Sequence, residues 1–270
     1  MESRKPTSAA RPSESADPEA PRGSIHPSAK GFGLGADAYE KGRPGYPPEA
    51  IAWLTEGLRI DSASTVVDLA AGTGKLSRQL LPIGCRVVGV EPVAAMRKVL
   101  SSIVGGVEVH AGTAEQIPLP ADFADSVTVG QAFHWFDADR ALGEIHRVLR
   151  PDGGLGLIWN RRDMDQPIQA QIHDIVERHR GSTPSHGSSD WEKAFERSRL
   201  FGPLSSASFA MTQTLDGPGL IARVMSISFM SQLEGQERRA AIERIGDIAR
   251  RNGDRIFLDY VAEAYCCEAI

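Results

Sequence analysis

Aromatic residues are scarce in this chain, 6% of 270 residues, and only three cysteines occur. Two of these, Cys266 and Cys267, are adjacent, and no CxxC pair is present, so neither a disulfide framework nor a zinc site is expected. Charge of one sign does not dominate. The net charge of -5 gives no electrostatic footing for wrapping a nucleic acid. No apolar run reaches the roughly 18 residues that would mark a membrane span, and the N-terminus lacks the apolar centre of a signal peptide. These absences lead us to expect a cytoplasmic protein, a monomer or homodimer, with no nucleic-acid or membrane partner.

Hydrophobic residues make up 41% of the chain, enough for one sizeable core. Residues 1–30, rich in Ser, Pro, Ala and charge, have little to bury and are expected to be a disordered tail. From there strand and helix signals alternate. Pro47 and Pro48 open a helix over about 48–58. Strands are expected at 64–70, 85–91, 106–112, 125–131 and 154–160, with helices at 74–81, 93–101 and 137–150 between them. The last of these helices puts Ala141, Leu142, Ile145, Val148 and Leu149 on one side. Apolar strands spaced by helices predict a doubly wound, mostly parallel α/β sheet. Beyond it the pattern gives a helix at 166–180, a loop at 179–189, and helices at 218–233 and 236–250. Segments 204–215 and 255–266 are expected to pair and close the sheet. The implied organisation is a lid segment over 31–60, a core over 61–163 and a C-terminal part over 164–270 that completes the sheet and caps the substrate.

The stretch "VVDLAAGTGKL" places Gly72 and Gly74 directly after the first strand. Glycines there permit tight turning and close approach of a ligand to backbone, with a helix N-terminus following. Position 77 is Ser, so the G-x-G-x-x-G dinucleotide fingerprint is incomplete, and Lys75 lacks the G-K-[ST] setting of a Walker loop. What remains suits a nucleoside without a pyrophosphate. The second strand ends at Glu91, whose carboxylate can accept both hydroxyls of a ribose. Ala114 and Glu115, after the third strand, sit where an adenine edge can be met.

Taken together and in order, "VVDLAAGTGKLSRQL", "VVGVEP", "GTAEQIPLPADFADSVTVGQAFHWFD" and "ALGEIHRVLRPDGGLGLIWNRRD" resemble the class I S-adenosylmethionine-dependent methyltransferases, in particular the branch of the ubiquinone and trans-aconitate enzymes. The resemblance covers about residues 35–163. It implies a Rossmann-like seven-stranded sheet with an antiparallel C-terminal strand, S-adenosylmethionine as cofactor and a small-molecule acceptor. It implies that Asp68 braces the loop near the methionine amino group and that Gly72 lies against the methionine moiety. Glu91 would hold the ribose, Ala114 and Glu115 would flank adenine, and Gln131 and Ala132 would face the methionine part. "YEKGRPGYP" resembles a lid, with Tyr39, Arg43 and Tyr46 covering cofactor or substrate and Arg43 pairing with the cofactor carboxylate. Many relatives carry glycine where this chain has Ala70.

"AFHWF", residues 132–136, concentrates the scarce rings at the end of the fourth strand. Phe133 and Phe136 are expected to pack. Trp135 can shield the reaction centre, and His134 can orient an acceptor or act as its base. A base is needed only where the nucleophile must lose a proton; alignment and exclusion of water do the rest. An aromatic wall also favours a cationic methyl donor over its neutral product. At the end of the fifth strand Trp159 and Asn160 can touch substrate, as can Ser226 further on. Arg161 and Arg162 can attract an anion, although paired arginines before an acid fit a solvated face with surface ion pairs. His173 and His179 are ordinary helix residues, and His186 lies in a Ser/Gly loop. Two other classes compete: a nicotinamide-dependent oxidoreductase, and a cofactor-binding partner protein without chemistry.

Overall fold

A computed structural model describes residues 36–184, 187 and 191–270. The expected N-terminal tail and His186 lie outside the described residues. The elements run α1 (Ala36–Gly42), α2 (Pro48–Gly57), β1 (Thr65–Leu69), α3 (Lys75–Leu80), β2 (Arg86–Val90), α4 (Ala94–Ile103), β3 (Glu108–His110) and β4 (Ala124–Gly130). They continue with α5 (Ala138–Val148), β5 (Leu149–Arg162), α6 (Pro167–Glu177), α7 (Trp191–Arg197), β6 (Ser205–Leu215), α8 (Gly217–Met225), α9 (Ser228–Ser231), α10 (Gly235–Asn252) and β7 (Ile256–Glu268).

The strands form one seven-stranded sheet in the order β3-β2-β1-β4-β5-β7-β6. The first five are mutually parallel, and β7 runs antiparallel between β5 and β6. The central strands are buried throughout because helices cover both faces. That is why they read as continuous apolar runs rather than alternating ones. One face packs Val127, Leu155 and Trp159 against α5 and α7; the other packs Val66, Val87 and Ile158 against α2 and α3. A third cluster joins α6, α8 and α10 to β7 through Ile172, Leu220, Ile245 and Tyr260. The chain winds from β1 outward to β3, then returns to lay β4 on the other side of β1. The switch point between β1 and β4 opens a crevice at their carboxyl ends.

The hairpin expected from 204–215 and 255–266 is present, with Leu215 opposite Ile256 and Ser205 opposite Cys266. Two expectations change. The helix expected over 218–233 is broken into α8 and α9 at Ile227, which is extended (φ -70°, ψ 135°). Ser226 Oγ donates back to the Arg223 carbonyl at 2.7 Å, the local competition that makes serine a poor helix continuation. Strand β5 starts at Leu149, not at 154. Leu149 pairs with Ala124, and the register then jumps so that Gly154 pairs with Ser126.

Candidate active site

The loop after β1 is built from left-handed backbone at Ala70 (φ 56°), Gly72 (φ 58°) and Gly74 (φ 84°). It is tied to β2 by the Ala71 N–H, which donates to the Val90 carbonyl at 3.2 Å. A side chain on Gly72 would meet nothing, whereas one on Gly74 would fall 2.2 Å from Leu100 Cδ1. Gly74 is therefore a packing position under α4 and is not among the residues that line the cavities at the crevice. Asp68 is buried one residue before the end of β1 and accepts hydrogen bonds from the Ser77 N–H at 3.0 Å and the Ser77 hydroxyl at 2.5 Å. Burial pushes its carboxyl up to about 6, against the pull of the Ser77 donors.

Glu91, 5% exposed, caps the loop from the tip of β2. Its Oε2 accepts the Gly72 N–H at 2.9 Å and its Oε1 accepts the Val93 N–H at 2.8 Å. Burial raises its carboxyl to about 7, while these N–H donors and Arg97 oppose the rise. Each oxygen keeps a second lone pair toward the cleft. That cleft is walled by Val93, Met96, Thr113, Ala114, Trp135 and Phe136, with Glu115 and Ala132 also on its surface. Thr113 Oγ1 is buried without a hydrogen-bond partner. Glu115 Oε1 accepts the Asp137 N–H at 3.0 Å, which ties the cleft to the start of α5.

A second, smaller cavity continues past Gly72 between Asp68, Ala70, Gln131, Tyr39, Arg43 and Tyr46. Gln131 (φ 62°) faces this cavity, the cleft and a third cavity alike. Helix α1 closes over the loop through Glu40, which accepts from Thr73 Oγ1 and from Arg78, each at 2.6 Å, while Lys75 Nζ donates to the Glu40 carbonyl at 2.8 Å. Gln79 clamps the backbone of Tyr46 from both sides, at 2.8 and 2.7 Å. Tyr46 lines this small cavity and not the third one. Burial raises its phenol well above the ordinary range.

The third cavity, of about 330 Å³, adjoins Tyr39 and Gln131 and extends under α6, α8 and α9. His134 and Trp135 face it, and Trp135 also faces the cleft. The aromatic run thus divides its labour. Phe133 is fully buried among Phe136, Trp191 and Phe195, with ring centroids 5.3 to 6.2 Å away. Phe136 joins that packing and also lines the cleft. Trp159, 1% exposed, belongs mainly to the core, stacked 5.0 Å from Trp191. Its Nε1–H donates to His134 Nδ1 at 3.2 Å. Trp159 also lines the third cavity, and its bond to Nδ1 leaves the ring proton of His134 on Nε2. In that tautomer His134 presents a donor rather than a base. Asn160 donates to the Gly45 carbonyl at 2.8 Å and borders both the small and the third cavity, while its Oδ1 is buried without a partner. Ser226 lies below the cavity wall, 2% exposed, where its hydroxyl accepts from Arg43 Nε at 3.2 Å. It positions Arg43 and does not line the cavity.

Arg161 pairs with Glu263 at 2.8 Å, as a surface ion pair should. Arg162 does not follow: it turns into the third cavity, where burial and the neighbouring Arg223 pull its guanidinium down to about 10. Sequence reasoning passed over Thr113, Arg180 and Arg223. A threonine after a strand, an arginine in the turn after α6 and one on α8 carry no distinguishing local signal.

The glycine loop, the buried acid at the tip of β2 and the 3-2-1-4-5-7-6 sheet define a family. A model of the methyltransferase domain matches residues 67–157. An uncharacterized methyltransferase of Mycobacterium tuberculosis is 37% identical over 238 residues, 85% of this chain and 92% of the relative. The chain belongs to the methyltransferase family. A methyltransferase-like protein of Schizosaccharomyces pombe, also uncharacterized, is 34% identical over 236 residues, with 85% and 92% covered. Among solved structures the YcgJ protein of Bacillus subtilis matches with a TM-score of 0.54 at 21% identity, over 82% of this chain and 97% of that one, and shares the fold. The methyltransferase has no helix among its described residues that is long and apolar enough to cross a membrane.

Proposed function

We propose that this methyltransferase moves the methyl group of S-adenosylmethionine onto a small acceptor seated in the third cavity. The observation that carries the reading is the meeting of that cavity with the cofactor cleft at Tyr39 and Gln131, between a buried acid and an aromatic wall. The residues fit the cofactor. Glu91 offers two free lone pairs to a ribose, and the orphaned Thr113 hydroxyl offers a partner to an adenine. Arg43 reaches the small cavity from the lid, where a methionine carboxylate would need a cation. The cofactor supplies an electrophilic methyl group on a sulfonium. The chain supplies alignment and a dry pocket: Tyr39 and Trp135 face the site of a positive charge, and the Nε2–H of His134 orients the acceptor. A nicotinamide dinucleotide suits this cleft less well. The Gly72 N–H that would cradle a pyrophosphate is spent on Glu91, and the Asp68 carboxyl stands beside the same loop.

The test is calorimetric titration with S-adenosylmethionine, S-adenosylhomocysteine and NAD in parallel. Binding of the two sulfur nucleosides without NAD is expected; the converse would overturn the reading. A protein that binds them tightly but methylates nothing across a broad panel of acceptors would be a non-catalytic cofactor-binding partner.

A further inference from the structure

The third cavity has an unusual charge. Arg43, Arg161, Arg162, Arg180 and Arg223 all line it, and no aspartate or glutamate is among the described residues that line it. They come from four separate places: the lid, the end of β5, the turn after α6, and α8. Four are already engaged, Arg161 by its ion pair with Glu263. Arg43 bonds Ser226 and lies 4.9 Å over the Tyr39 ring. Arg223, 6% exposed, donates to the Tyr260 hydroxyl at 3.0 Å. Arg180 is held by Glu177 at 2.6 to 2.9 Å. Arg162 alone of the five makes no side-chain hydrogen bond or ion pair with any described residue. Its electrostatic company is mostly more positive charge, from Arg223, Arg43 and Arg180, with the Tyr260 phenol acting the other way. Enclosing a guanidinium beside three others is unfavourable unless an anion enters with its own hydrogen-bond acceptors. The position matters as well. Arg43 and Arg223 border the small cavity too, where the cofactor carboxylate would answer them, whereas Arg161, Arg162 and Arg180 border only the third cavity, and Arg161 is answered by Glu263.

We propose that the acceptor carries an anionic oxo group, a carboxylate or a phosphate, that Arg162 anchors at the far side of the third cavity, with Arg180 beside it. This rests on the function proposed above and adds the chemical class of the acceptor. The anchored group is not the one methylated. An oxygen whose lone pairs are held by guanidinium donors is a poor nucleophile, and Arg162 lines neither part of the cofactor site. The atom that attacks is a second group of the same molecule, placed near Gln131 and His134. The in-line step forms its bond to the methyl carbon as the carbon–sulfur bond breaks, and the electron pair stays on sulfur.

Succinate, inorganic phosphate and the uncharged isostere succinamide are suitable probes, titrated into the full chain saturated with S-adenosylhomocysteine at fixed ionic strength. Saturable binding of succinate or phosphate, and none of succinamide, is expected. Arg162→Gln should weaken the anion about tenfold or more, from loss of a charge-assisted bond. Arg162→Lys should recover part of it, and Arg161→Gln, which removes a lining charge already paired with Glu263, should weaken it far less than Arg162→Gln. All three variants should bind S-adenosylhomocysteine as the wild type does, which also reports that they are folded. Succinate binding without phosphate would identify the anchor as a carboxylate site, and the reverse a phosphate site. Absence of anion binding to the loaded protein, equal binding of succinamide, or undiminished binding in Arg162→Gln would overturn the inference while leaving the methyltransfer reading intact. Failure of S-adenosylhomocysteine to bind would instead strike the proposed function.

Discussion

If Glu91 holds the ribose as a carboxylate, cofactor affinity must depend on pH in a calculable way. Burial lifts its carboxyl from an ordinary 4.5 to about 7. A ribose needs both oxygens as acceptors, so the ligand binds the ionised form and drives the proton off. With a free-state value of about 7 and a bound value well below 6, the apparent dissociation constant scales inversely with the fraction of Glu91 that is ionised. That fraction is about nine-tenths at pH 8 and about one-tenth at pH 6, so affinity should fall roughly tenfold, about 1.4 kcal/mol, across this interval. Asp68, raised to about 6, would add a further factor of about two at the acid limit if it too must be ionised. Titration with S-adenosylhomocysteine at pH 6, 7 and 8, in buffers of different ionisation enthalpy, measures both quantities. About half a proton should leave per ligand bound at pH 7, where half of Glu91 is protonated in the free protein. Affinity that is flat from pH 6 to 8 with no proton release would refute either the burial of the charge or its role in binding. The stability of the free protein should move oppositely. A carboxyl raised on folding favours the folded state below its unfolded value, and that contribution is lost as pH rises through about 7.

Gly74→Ala should destabilise the protein by about 2 to 5 kcal/mol in a urea melt, from the left-handed backbone plus the contact 2.2 Å from Leu100; a variant as stable as wild type would contradict the packing role assigned here. Trp159→Phe keeps a ring in the core but removes the donor to His134, so long-range proton–nitrogen spectra should show the proton moving from Nε2 toward Nδ1. Finding Nδ1 protonated in the wild type would dismiss the donor role of that imidazole. Glu40→Gln breaks the ion pairs that tie α1 to Lys75 and Arg78. Because these side chains are partly exposed, the loss should be no more than about 1 kcal/mol, read as a threefold to fivefold faster release of S-adenosylhomocysteine in stopped flow. An unchanged release rate would show that the lid does not gate the cleft.

What the sequence discloses and what it hides have a physical division. The order of strands and helices is legible because burial on both faces writes each central strand as an apolar run, and α5 keeps its one-sided spacing. Glu91 is legible because its place is set by one local event, the end of β2 beside the glycine loop. Even Ala70, at φ 56°, sits in a turn where relatives were expected to carry glycine, so the strain is foreshadowed by the substitution. Gly74 shows the limit of such local reading. It shares a loop and a positive φ with Gly72, yet the contact that demands glycine comes from Leu100 on another helix. Ser226 is the same case at longer range, since it touches a side chain 183 positions away. The arginines extend the point furthest. Arg161 and Arg162 are neighbours of one type, and the alternation of β5 sends the first to Glu263 and the second inward to face Arg223, Arg180 and Arg43. Nothing in the dipeptide distinguishes them. Their difference arises only when α6, α8 and the lid converge on the end of one strand, and so the cluster of positive charge in the third cavity is a property of the assembled fold rather than of any segment.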